Sequence, residues 1–92
     1  MDAEQAQIMA LQALAYLAAD SEQMDRFAAL SGMGPGDIMA RAAEPELLAG
    51  VMDFLLSDEA LLTDFCATHD LPPETPALAR QALPGGALPP WT

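Results

Sequence analysis

The chain's one cysteine and one histidine, Cys66 and His69, stand three residues apart. That spacing puts both on one side of a helix end. A metal centre there would need further ligands, and Glu59 and Asp70 are the nearest. A structural zinc site gathers four Cys or His ligands, whereas this chain holds two. A thiolate–imidazole nucleophile would need a lowered thiol pKa, but the C-terminal end of a helix raises it. No glycine-rich oxyanion loop follows. The plainer reading is a small buried thiol beside a histidine whose cationic form suits the helix dipole. No catalytic residue, metal ligand or cofactor is therefore assigned, and the chain reads as a non-enzyme.

Charge is the next source of chemistry. Three Arg and no Lys oppose fourteen Asp and Glu, for a net charge of −11. Such a chain is not expected to bind nucleic acid directly. Residues 44–74 carry eight carboxylates and no cation. Those at helix starts are accounted for by the dipole, and the remainder read either as solvated faces or as a negative patch that steers a basic partner. Asp37 with Arg41, and Glu22 with Arg26, have the spacing of surface helix pairs; Arg80 is expected in a salt bridge. The loop Gly32-Met-Gly-Pro-Gly36 invites a phosphate reading, but Pro35 removes a donor and Asp37 would repel the ligand. A turn is the sounder assignment.

The elements that position these residues are helical. Nineteen Ala and fourteen Leu stand against three Val and Ile together, a composition that favours helix over sheet. Residues 3–19 read as a first helix with Ile8, Leu11, Ala15 and Ala18 on one face. Met9 and Tyr16 sit beside the Gln5/Gln12 stripe and are candidates for an exposed apolar patch, the other reading being core packing against the sixth helix. Asp20 or Ser21 caps a second helix carrying Met24, Phe27 and Leu30, and Gly32 ends it. Met33, in its turn, is either a loop-tip anchor or a lid on the core. Pro35 begins a third helix through Ala43 and Pro45 a fourth, in which Leu47, Leu48, Val51, Phe54 and Leu55 form an apolar arc opposite Glu46 and Asp53. Ser57 is expected to cap a fifth helix that buries Leu61, Leu62 and Phe65. A last helix, about 73–83, carries Leu78 and Ala82. These make a compact all-α domain of five or six short helices over 1–85, followed by a flexible Pro/Gly-rich tail over 86–92.

This order of segments resembles a family of short, all-helical, mainly alphaproteobacterial proteins classed as a domain of unknown function. The resemblance rests on Ala10-Leu-Gln-Ala-Leu-Ala-Tyr-Leu17, Phe27-Ala-Ala-Leu-Ser-Gly32, Val51-Met-Asp-Phe-Leu-Leu-Ser-Asp-Glu59 with Leu62 and Phe65, Leu71-Pro-Pro73, and Ala82-Leu-Pro-Gly85. It covers roughly residues 3–85. Most of these are core and cap residues, so the resemblance implies a fold. It brings no established substrate, cofactor or catalytic residue, and Cys66, His69 and the tail beyond Gly86 match no motif of it.

One cysteine excludes an internal disulfide framework, and the lack of Asn removes any N-glycosylation site. The longest apolar stretch, Ile8 to Ala19, is too short to span a bilayer, and Asp2 and Glu4 stand where a secretory leader would be positive. A cytoplasmic protein is expected. The functional expectation is a small acidic interaction or adaptor module, whose partner is a protein of basic character or a second copy. Its candidate surface is Met9, Tyr16, Glu46, Asp53 and Asp64. The alternative is a binder of a small apolar ligand between helices.

Overall fold

The first helix begins on a complete capping box: the Asp2 carboxylate accepts from Gln5 N at 2.7 Å while Gln5 Oε1 accepts from Asp2 N at 3.5 Å. The computed structural model describes residues 1–83, and in them six helices follow: α1 Ala3–Ala18, α2 Ser21–Ser31, α3 Pro35–Ala40, α4 Pro45–Leu56, α5 Glu59–Thr68 and α6 Thr75–Gln81. Among the described residues there is no strand. The all-α reading holds; the expected tail and its boundary at residues 85/86 lie outside the described residues.

Helices α1 and α4 pack against each other at the centre, and α6 packs against both. Helix α2 joins them with α3 at its side, while α5 backs α4. The apolar arc expected on α4 is the heart of the core, with Leu48, Val51, Met52 and Leu55 essentially sealed from solvent.

The face of α1 is a correction. Ala6, Met9, Ala10, Ala13, Leu14 and Leu17 are buried, whereas Ile8, Leu11, Ala15 and Ala18 face outward. The helix is apolar nearly all round, so periodicity alone offers two faces. The three alanines let α4 and α6 approach closely, leaving room for Leu14, Leu17 and Met9 between backbones. Met9 is only 8% exposed and belongs to the core, so the expected Met9/Tyr16 patch does not form.

Other boundaries shift for local reasons. Helix α2 starts on Asp20, whose carboxylate accepts from Glu22 N at 3.1 Å, and ends where Gly32 takes a left-handed φ of +74°. Helix α3 stops at Ala40, short of Ala43, because Arg41 leaves the helical region at φ −102°, ψ 15°. The cap of α5 is Asp58, not Ser57: its carboxylate accepts from Ala60 N at 3.0 Å and Leu61 N at 3.2 Å. Ser57 instead closes α4, its hydroxyl donating to the Phe54 carbonyl at 2.7 Å. Two good capping residues are adjacent here, and the carboxylate is the one with non-helical backbone (φ −126°, ψ 106°).

Helix α5 ends in a Schellman arrangement, with Leu71 N bonded to Cys66 O at 2.8 Å and Asp70 N to Ala67 O at 3.4 Å. Asp70 occupies the left-handed position (φ +54°) that glycine usually fills. In α6, Pro76 and Ala79 are buried and Leu78 faces solvent, again because the smaller side chains permit close packing on α1 and α4.

Candidate functional site

A cleft of about 510 Å³ opens between α2 and α4. Its floor is Phe27, Leu47 and Phe54, with the two rings edge to face at 5.5 Å. Leu30 and Ser31, on the last turn of α2, form one lip, and Met33 from the following turn closes that end. Leu30, carried on α2 with the buried Met24 and Phe27, is 75% exposed. The last turn of α2 carries it to the mouth of the cleft, where no other helix covers it.

Helix α4 supplies the opposite wall. Glu46, Gly50, Asp53 and Ser57 line it at spacings of four, three and four residues, which places them on a single stripe along the helix. Arg41 and Glu44 complete the rim. Gly50 is the one glycine beyond the first turn of any described helix. A methyl group there would meet nothing within 4 Å, so packing inside the chain does not account for glycine.

Two of the three arginines hold this frame. Arg26 donates to Gln23 Oε1 at 2.9 Å, lies 3.5 Å from Asp58 and sits 5.6 Å from the centre of the Phe54 ring. Arg80 on α6 donates to Asp53 Oδ1 at 2.6 Å, as a salt bridge was expected for it. The expected Glu22–Arg26 and Asp37–Arg41 pairs do not form. Arg26 reaches across to α5 instead, and Arg41 lies past the end of α3, facing the cleft. Glu44 and Glu46 make no ion pair among the described residues, so the rim is net negative.

Of the five candidate surface residues, the cleft unites Glu46 and Asp53. Met9 is buried, and Tyr16 with Asp64 forms a separate contact. The Tyr16 hydroxyl donates to the Asp64 carboxylate, and its ring meets Phe65 edge-on at 5.5 Å. Partial burial, then the Asp64 bond and charge, push the phenol pKa up to about 12. Asp64 also borders a more open depression with Glu59, Ala60, Thr63 and Ala67.

Cys66 and His69 take separate partners. The thiol is buried and points to the Pro72 carbonyl at 3.8 Å, while the imidazole lies against Phe65, ring centres 4.5 Å apart. Desolvation, then the nearby Glu74 charge, raises the thiol pKa, the opposite of nucleophilic activation. Among the described residues no group of three or more His, Cys, Asp or Glu side chains is placed to hold a metal ion, and no helix is long and apolar enough to cross a membrane.

Sequence reasoning missed the cleft because its parts come from three separate stretches. The signal that was present is Gly50, a helix breaker in the middle of an apolar helix.

A family model described as "Protein of unknown function (DUF3572)" matches residues 3–86, in line with the resemblance read over about 3–85. No curated protein matches the chain, and no solved structure does.

Proposed function

The chain belongs to the DUF3572 family, whose description assigns no activity, and we propose that it is a non-catalytic interaction module whose α2–α4 cleft receives apolar side chains from a basic partner protein. The observation that carries this reading is the pairing of an open apolar floor with an acidic rim. Leu30, 75% exposed, offers apolar surface beside the nearly buried Phe27, Leu47 and Phe54, while Glu44 and Glu46 face solvent without an ion pair among the described residues. A net charge of −11 extends that field well beyond the rim and favours encounter with positive partners.

A second reading has its own observation. The cleft volume of about 510 Å³ falls within the range of small-molecule pockets, so an apolar ligand is the alternative occupant.

The test is fluorescence anisotropy with a labelled synthetic peptide bearing Leu at i, i+3, i+4 and i+7 and Lys elsewhere. The expected result is saturable binding that falls about tenfold in Leu30→Glu, a change at an exposed position that leaves the fold intact. A scrambled peptide of equal charge should bind more weakly. Equal binding of the scrambled peptide, or unchanged affinity in Leu30→Glu, overturns the reading. Saturable uptake of a solvatochromic apolar dye, undisplaced by the peptide, would also overturn it and establish the small-ligand alternative.

A further inference from the structure

Resting on that reading, we infer that the segment received by the cleft is an α-helix laid lengthwise along α4, and that Gly50 is the contact that admits its backbone. Three observations converge. First, the wall is long and straight. Glu46, Gly50, Asp53 and Ser57 run as one stripe along α4, and eleven residues of rise at 1.5 Å make it about 16 Å. That length matches about three turns of a second helix. A single side chain or a compact ligand would use only part of it.

Second, Gly50 stands mid-helix, where alanine is the more stabilising residue, in a chain that uses nineteen alanines. Its missing Cβ faces open space: nothing lies within 4 Å of where it would be. The room created is therefore unused within the chain and opens into the cleft. A glycine on a helix face is what lets a second helix approach closely. Third, Glu46 and Asp53 bracket Gly50 on the same stripe, and Asp53 is already held by Arg80. Glu46 and the neighbouring Glu44 remain for Lys or Arg flanking the partner helix's apolar strip, which fixes both the sign of the partner and where its charges fall.

Substitution of Gly50 separates this role from a structural one, since the two effects have opposite signs. Gly50→Ala adds a methyl group that meets nothing in the free protein, so the unfolding temperature should rise by a few degrees. The same methyl group wedges between packed helices, so affinity for the labelled amphipathic peptide should fall about tenfold, and Gly50→Leu should abolish binding with unchanged circular dichroism. A peptide of the same composition with a central proline should bind far more weakly than the helical one.

If Gly50→Ala binds as tightly as the parent while Leu30→Glu still weakens binding, the close-approach proposal falls and the cleft reading stands. If neither variant alters binding, both fall. A lowered unfolding temperature in Gly50→Ala would assign glycine to the fold and overturn the inference. So would equal binding of the proline-broken peptide.

Discussion

Replacing Asp58 with alanine tests the junction on which the cleft floor rests. The carboxylate accepts two hydrogen bonds from the first turn of α5, from Ala60 N at 3.0 Å and Leu61 N at 3.2 Å. It also stands 3.5 Å from the Arg26 guanidinium, which covers Phe54. Loss of an N-cap costs about 1 kcal/mol. The ion pair joins side chains that are 49% and 27% exposed, so it adds only about 0.3 kcal/mol. The sum, about 1.3 kcal/mol, lowers the unfolding temperature of a domain this size by about 5–10 °C. Asp58→Asn keeps the capping oxygen and removes the charge, so it should cost only the ion-pair part. Ser57→Ala loses the bond to Phe54 O but gains helix propensity, and should change stability by less than about 0.5 kcal/mol.

Urea unfolding followed by circular dichroism gives all three values, and an unchanged m-value certifies that stability rather than cooperativity moved. Ser57→Ala costing as much as Asp58→Ala would place the cap at Ser57 and refute the assignment. Asp58→Asn costing as much as Asp58→Ala would mean that the charge, not the cap, dominates.

Three further outcomes follow from particular contacts. Tyr16 is the only tyrosine, so its phenolate absorbance titrates alone, and the midpoint should lie near 12. A folded-state pKa above the unfolded value of about 10 gives stability that is whole below pH 10 and lost between pH 10 and 12. Tyr16→Phe should flatten that part of the alkaline stability curve; a midpoint near 10 would contradict the Asp64 bond. Cys66, buried against Pro72 with its pKa raised, should react with a disulfide thiol reagent at least about a hundredfold faster in denaturant than in the native state, and equal rates would contradict its burial. Met9→Ala should cost about 2–3 kcal/mol while Ile8→Ala costs under about 0.5, and the reverse order would restore the face of α1 that periodicity suggested.

How far the fold was legible depended on how distinct each signal was. Proline starts at Pro35 and Pro45 and the left-handed Gly32 were readable because each has one main structural use. The apolar arc of α4 was readable because Glu46 and Asp53 mark the other side. On α1 the Gln5/Gln12 stripe marks only a narrow wet side and leaves apolar residues on both flanks of it. With Ala, Leu, Ile and Met there, the choice of inner face turned on how closely α4 and α6 could approach Ala6, Ala10 and Ala13, which is a property of the assembled core. Asp70 was missed as a helix terminator because left-handed backbone is expected of glycine first. The cleft was illegible as a whole since Phe27, Leu30 and Phe54 are all plausible core residues, and only the packing of α2 on α4 separates the floor from the lip.

Charge links the stability of this fold to the reading of its cleft, in a way that can be opposed to itself. Fourteen carboxylates and three arginines share a small domain, and two of the arginines, Arg26 and Arg80, hold α2 and α6 to the helices that carry Phe54 and Asp53. Most carboxylates therefore repel one another across the surface, and this self-repulsion destabilises the compact state. Raising sodium chloride from 20 to 500 mM (chosen to bring the Debye length from about 20 Å down to about 4 Å) should relieve more repulsion than it weakens attraction, so the unfolding temperature should rise. The same screening should weaken binding of the basic peptide, leaving the share contributed by Phe27, Leu30 and Phe54. Opposite responses to one variable are what an acidic cleft with an apolar floor requires. Loss of all binding at high salt would mean that charge alone held the peptide, and salt-independent binding would mean that Glu44 and Glu46 play no part in it.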